Sequence, residues 1–238
     1  MRKPNFTSIA LIAALLVCIG ALITYSVLSA KNVETQEAPP AAVEYTPGNA
    51  VNNGHKVVLD VGHGGFDPGA YGAAGSRECD INLEVAKKVE NALVSYGYDV
   101  VMTRKKDIAL ADTKEEDMAK RREIIETSGQ DITISIHQNY FEDASARGPQ
   151  VFYLKGSEEG ARLAKCLQDA LNAELEVASP RTEQDSDYYI VKSGEAPAVI
   201  VECGFISNPE EEQLLKNKSY RLRIAKAIVK GTEKFFSE

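Results

Sequence analysis

Apolar and polar positions change period several times along the chain. Val57, Val58, Leu59 and Val61 form a short β-branched run, the pattern of a buried strand. Between 82 and 96, Leu83, Ala86, Val89, Leu93 and Tyr96 recur at helical spacing, and Gly97 stops the helix. A strand follows over 99–102, then a helix over 115–127 with Met118, Ile124 and Ile125 as its apolar contacts. Strands are expected at 132–136 and 150–154. Ser157 caps a helix running to about Ala173, with Ala161, Ala164, Leu167 and Leu171 inward. The segment 188–191 suits a short strand, and 198–201 is the last core strand. Asn208 and Pro209, followed by Glu210, Glu211 and Glu212, make a strong helix start: a cap, a proline in the first turn, and acids at the positive end of the dipole. A terminal helix covers 219–236. Strands alternating with helices predict an α/β fold: one three-layer domain, its mostly parallel twisted sheet covered by helices on both faces.

The first 30 residues break this pattern. Residues 8–28 carry no charge, are dominated by Ile, Leu, Ala and Val, and follow Arg2 and Lys3. About 20 apolar residues span a bilayer core as a helix. Residues 1–30 therefore read as an N-terminal transmembrane anchor. The alternative is a signal segment cleaved after Ala30, which would put Leu28 where a small residue is preferred. Under either reading the globular part lies outside the cytoplasm, because positive charge before the span holds the N-terminus inside. Residues 31–54, with Pro39-Pro40, Pro47-Gly48 and Asn52-Asn53-Gly54, form a flexible linker. Residues 55–238 form the folded domain.

Charge narrows the partners. The chain holds 27 Lys and Arg against 35 Asp and Glu, a formal net charge of −8, and every acidic residue lies after Ala30. Such a surface argues against nucleic acid as a partner. No Gly-x-Ser-x-Gly elbow, phosphate loop or dinucleotide fingerprint is present.

The chemistry gathers at strand ends. The first strand runs into Gly62-His63-Gly64-Gly65, where glycines let the backbone turn sharply beside a histidine. A Gly/Ala loop then leads to Glu78. His137 closes the strand 132–136, and Glu202 closes 198–201. In parallel α/β sheets, ligands bind outside the carboxyl ends of the strands. His63, Glu78 and His137 supply two nitrogens and a carboxylate, the donor set of a catalytic zinc site with one ion per chain. Glu202, between Ile200-Val201 and Cys203-Gly204-Phe205, is the general-base candidate; its alternative is a structural partner for a buried arginine such as Arg104. Asp60, Asp67 and Asn139 are placed to orient the histidines or to stabilise loops. His55, before the first strand, reads as solvated. Cys18, Cys79, Cys166 and Cys203 show no paired Cys-x-x-Cys spacing and read as reduced thiols, partly buried.

Taken together, the stretches Leu59 to Gly65, Gly69-Ala70 and Gly72 leading to Glu78, Asn82-Leu83, Thr103-Arg104, Ser135 to Asn139, Pro197 to Phe205 and Ser207-Asn208 resemble the amidase-3 family, the zinc-dependent N-acetylmuramoyl-L-alanine amidases of bacterial cell walls. The likeness runs from about Lys56 to Phe236. It implies that His63, Glu78 and His137 bind zinc and that Glu202 is the catalytic glutamate. It further implies that the substrate is peptidoglycan, cut at the amide between the lactyl group of N-acetylmuramic acid and L-alanine. The short build, with an N-terminal span and no wall-binding repeats, is similar to the germination-associated amidases of spore-forming bacteria, and leaves room for an activating protein. Two features depart from the family. Cys79 stands where a polar or basic residue is usual, and 175–187 carries no alignable motif. The rival readings are a zinc peptidase acting within the stem peptide and a non-catalytic wall-binding module.

Overall fold

The computed structural model describes residues 51–238. The expected membrane segment at 1–30, Cys18 within it, and most of the expected linker fall outside that range. Among the described residues, no helix is long and apolar enough to cross a membrane.

The elements run β1 (Lys56–Val61), α1 (Glu78–Ser95), β2 (Asp99–Met102), α2 (Lys114–Thr127), β3 (Ile132–Asn139), β4 (Gln150–Leu154), α3 (Glu158–Glu174), β5 (Gln184–Ser186), a 3-10 turn (Ile190–Lys192), β6 (Ala198–Phe205), α4 (Pro209–Lys216) and α5 (Lys218–Ser237). One six-stranded sheet has the order β2-β1-β3-β6-β4-β5. Its β2, β1, β3 and β6 are mutually parallel. β4 runs antiparallel to β6, and β5 parallel to β4. The sheet is therefore mixed, although most pairings are parallel as expected. The link 140–149 contains no helix. A parallel return needs a long crossover, so the chain leaving β3 re-enters the sheet from the same end and β4 must run backwards. α3 then supplies the crossover that makes β5 parallel to β4.

The two faces are covered unequally. On one face Val57, Leu59, Val61, Ile134, Ile136, Val199 and Val201 pack against α1, α3 and α5 through side chains such as Val89, Leu167 and Ile228. On the other, Val58 and Ile200 meet Ile125 of α2 and the 3-10 residues Ile190 and Val191. β1 is buried on both faces, which is why it reads as a run rather than an alternation. Helix starts match their chemistry. Thr113 and Ser157 each accept one backbone N–H at the heads of α2 and α3, and Asn208 and Asn217 each accept two at the heads of α4 and α5.

Three expectations need correction, and one stretch left unassigned gains a strand. The segment 188–191 is not a strand: Ile190–Lys192 is a 3-10 turn, whose Ile190 and Val191 plug the smaller core. The stretch 175–187 contains a strand, β5, whose polar sequence Gln-Asp-Ser at the sheet edge gives no apolar signal. The inward side of α2 is not simply apolar, because it buries Asp117 and Arg121 with Ile125. His55 is not free in solvent. Its ring stacks on Phe236 with centroids 3.9 Å apart, and its carbonyl accepts the Asp99 N–H at 2.9 Å.

Candidate active site

Three parallel strands deliver the chemical groups to one end of the sheet. β1 ends one residue before Gly62. His63 then adopts φ 58°, a left-handed conformation rare for a side chain with a Cβ. Such strain persists only where surroundings impose it, and here two buried arginines do so. Arg104 donates from Nε to the Val61 carbonyl at 3.0 Å, and from Nη2 to the Gly62 and Cys79 carbonyls at 2.9 Å. Arg121 donates to the carbonyls of Val61 at 2.6 Å and His63 at 2.8 Å. Gly62 must lack a side chain, since a Cβ there would run into the His137 ring.

The histidines and Glu78 converge. His137 Nδ1 lies 2.9 Å from Glu78 Oε1, and His63 Nε2 lies 3.3 Å from Glu78 Oε2. The His63 and His137 rings stand edge to face, with centroids 4.9 Å apart. One donor atom from each residue falls within 4.8 Å of the others. Asp67 Oδ2 sits 2.9 Å from His63 Nδ1, leaving Nε2 to face the centre. Glu78, at the head of α1, is held by the Ala70 and Gln138 backbone N–H groups at 2.9 and 3.2 Å and by Asn82 Nδ2 at 3.2 Å.

The electrostatics follow from this crowding. Burial alone would raise the Glu78 carboxyl, but hydrogen bonds from His137 and His63 outweigh it and hold it far below the usual carboxylate range. Burial would likewise lower His137, yet its bond to Glu78 and the charges of Glu78, Glu202 and Asp60 push it up to about 9. The pocket thus attracts positive charge.

Glu202 is register-paired with His137 across β3 and β6. Its Oε2 is shut off from water and has no hydrogen-bond partner. Burial lifts its carboxyl to about 7, with the His137 imidazole opposing and the Glu78 charge adding. Arg104 is committed to carbonyls and does not pair with it. A donor set of two imidazoles and a carboxylate, in a pocket that draws positive charge beside an unpartnered carboxylate oxygen, fits a divalent metal ion.

The other named residues divide. Asp67 orients His63. Asp60 does not touch a histidine by hydrogen bond; it is buried in an ion pair with Arg121. Asn139 ends β3, and its carbonyl accepts the Ile206 N–H. Cys79, Cys166 and Cys203 are free and buried. Cys79 also lies near Asp80 and Asp107, but Arg77 bridges those two acids at 2.6 and 2.9 Å and already supplies the cation. Sequence reasoning missed Arg121, and it gave Asn82 and Gln138 no role although both fall in the family-like stretches. Asp117 and Arg121 stand at an i,i+4 spacing that signals an ion pair, yet nothing in that spacing says the pair is buried.

A cleft of about 340 Å³ opens over the centre, walled by Phe66, Met118, Tyr188, Tyr189 and Ile190. Phe66, Tyr188 and Tyr189 expose 53, 52 and 45% of their surface there, so an extended substrate can lie along the cleft rather than thread into it.

This arrangement, two imidazoles and a carboxylate converging near the carboxyl ends of parallel strands under an open cleft, defines an α/β protein with a candidate metal-binding site. Comparison with known proteins makes it specific: residues 57–234 match the family model described as N-acetylmuramoyl-L-alanine amidase. The chain belongs to that family. The germination-specific N-acetylmuramoyl-L-alanine amidase of Bacillus subtilis is 35% identical over 194 residues, covering 78% of this chain and 81% of that protein. The Escherichia coli amidase AmiA is 31% identical over 224 residues, covering 76% of this chain and 75% of its own. Among solved structures, the CwlD amidase of Clostridioides difficile, in complex with the GerS lipoprotein, aligns with a TM-score of 0.75 and 35% identity, over 77% of this chain and 98% of that one.

Proposed function

We propose that the chain is a zinc-dependent amidase in which His63, Glu78 and His137 hold one ion and Glu202 is the general base. The substrate is peptidoglycan, and the bond cut is the amide between the lactyl group of N-acetylmuramic acid and L-alanine. The observation that carries the residue roles is the unpartnered Glu202 oxygen beside the convergent donor set. When bound, zinc supplies Lewis acidity and lowers the pKa of water toward neutrality.

The chain's own residues do the rest. Asp67 and Glu78 fix the ring orientations of His63 and His137. Arg104 and Arg121 hold the loop that carries His63. Glu202 takes a proton from the attacking water at its carboxylate and returns it to the departing L-alanine amine. A buried carboxylate with an oxygen left free of protein partners is placed to do both.

Mass spectrometry of digested sacculi tests the bond. Intact stem peptides beginning with L-alanine, and glycan stripped of peptide, are expected. Stem fragments cut after the first residue, with L-alanine still on muramic acid, would instead mean a peptidase.

The apolar stretch 8–28 supports anchoring in the membrane with the domain outside. Membrane fractionation with N-terminal sequencing should find the intact chain in the membrane fraction; a soluble protein beginning near Lys31 would show cleavage. Similarity to a relative named germination-specific supports action on spore peptidoglycan. A structural neighbour solved with a lipoprotein supports a protein partner of that kind.

A further inference from the structure

A second groove adjoins the catalytic cleft. Ile200 and Glu202 of β6 line the cleft, and their register partners on β4, Phe152 and Gln150, line a separate groove of about 230 Å³. Paired residues on neighbouring strands present their side chains on the same face. The two hollows therefore lie side by side at one end of the sheet, one strand spacing apart. Phe152 meets Tyr188 of the cleft edge to face at 5.6 Å, marking the ridge between them.

The groove contains a guanidinium without an acidic partner. Arg181 lies over the Phe205 ring at 4.9 Å and donates from Nε to the Arg147 carbonyl at 2.9 Å. No carboxylate among the described residues reaches it within ion-pairing distance. By contrast, the surface arginines Arg77, Arg122, Arg147, Arg162, Arg221 and Arg223 each pair with an acid. The backbone that carries Arg181 is pinned. Asn172 Nδ2 donates to its carbonyl at 2.8 Å, and Gln150 Nε2 donates to the Thr182 carbonyl at 2.5 Å. Gln150 is itself the neighbour of Glu202, so the cation is held in fixed relation to the catalytic carboxylate. Carboxamides of Asn139 and Gln184, with Phe141 and Ala146, complete the lining.

We propose that this groove binds the free α-carboxylate of the second residue of the stem peptide, through the Arg181 guanidinium. The inference rests on the amidase reading above. A planar guanidinium with free terminal N–H groups matches a carboxylate. The glycan offers none, since the lactyl carboxyl is consumed in the scissile amide, so the anionic groups of the substrate lie on the peptide side. The reach also fits. A second residue extends roughly 7 Å from the scissile bond, and the groove begins about one strand spacing, ~4.8 Å, from Glu202. The aromatic cleft on the other flank is left to the sugar. Arg181 belongs to the segment 175–187 that carries no family motif, so this selectivity is a property of the individual chain.

The test uses two synthetic muramoyl tripeptides that differ in one group. The second residue, γ-linked D-glutamate, bears a free α-carboxyl in one and an amidated one in the other; the terminal carboxyl is amidated in both. With the full-length zinc-loaded chain in detergent, kcat/KM should favour the free acid on the order of 10–100-fold, the range of a charged hydrogen bond. In Arg181→Ala the ratio should fall close to one, and Arg181→Lys should restore part of it. Loss of folding would lower both substrates together and cannot move the ratio. Binding of the same pair to Glu202→Gln gives a readout without turnover. Tighter binding of the free acid, abolished by adding Arg181→Ala, supports the groove even if wild type cuts neither compound; that pattern would sink the amidase reading alone. Equal kcat/KM and equal binding for the two compounds would overturn the proposal, as would a preference that survives in Arg181→Ala.

Discussion

Two carboxylates flank His137, one on each neighbouring strand, and they are treated in opposite ways. Asp60 on β1 is 1% exposed and fully paired: Thr103 Oγ1 at 3.0 Å, Ser135 Oγ at 2.5 Å and Arg121 Nη1 at 2.9 Å. Burial alone would raise it, but the Arg121 charge, the Ser135 hydrogen bond, the nearby His137 and the Arg121 hydrogen bond hold it below the ordinary carboxylate range. Glu202 on β6 has a buried oxygen with no partner and sits near 7. A buried charge is stabilising to the fold only when it is paired and hydrogen-bonded. The same residue class near equivalent strand ends thus separates into a fully paired structural brace and a carboxylate whose buried oxygen has no partner.

The largest effect expected concerns what lies between them. His63→Ala and His137→Ala should each reduce zinc from one per chain to a trace in metal analysis, with near-native circular dichroism. Full zinc in both variants would remove the ligand assignment.

Next comes the brace. Arg121→Met strands Asp60 and Asp117, and breaking a buried pair costs about 3–5 kcal/mol. Denaturant unfolding should show that loss. A change under about 1 kcal/mol, the range of a surface pair, would mean the network does not hold the site.

Glu202→Gln sharpens the contrast through stability. A carboxyl raised in the folded state binds more protons there than when unfolded, so stability falls as pH rises from its ordinary value, 4.5, to about 7. In zinc-free protein the glutamine variant should therefore be more stable than wild type above pH 7, by about 1–3 kcal/mol for an unsatisfied polar group. The advantage should vanish below pH 4.5. If Glu202→Gln instead destabilises at every pH, Glu202 has a partner like that of Asp60.

The smallest effect is a control away from both. Asn208 Oδ1 accepts the Glu210 and Glu211 N–H groups at 2.9 and 3.2 Å. Asn208→Ala should cost about 1 kcal/mol as a lost cap and leave zinc content unchanged.

The chain made the two flanks unequally legible. Three of the four candidate residues could be read because an apolar strand announces each: Val57 to Val61 before His63, Ile132 to Ile136 before His137, Ala198 to Val201 before Glu202; Glu78 instead follows a Gly/Ala loop. The brace could not, because its partner Arg121 shares the buried stripe of α2 with Asp117 and Ile125, and a buried ion pair leaves no apolar signal. The same reason hides β5, whose three residues are polar and lie at the sheet edge. Glu211 and Glu212 read as acids at a helix start. Folded, they also brace loops: Glu212 receives the Ala74 and Ser76 N–H groups, and Glu211 those of Gly148 and Phe205. Such long-range contacts leave no periodic trace in sequence.

Turnover of Glu202→Gln at measured zinc occupancy tests the contrast most directly. With one zinc per chain retained, release of stem peptides from intact sacculi should fall by roughly 10²–10⁴-fold, the usual cost of removing a general base. A variant that keeps at least half of wild-type turnover would place Glu202 with Asp60 among the structural carboxylates and move the base elsewhere.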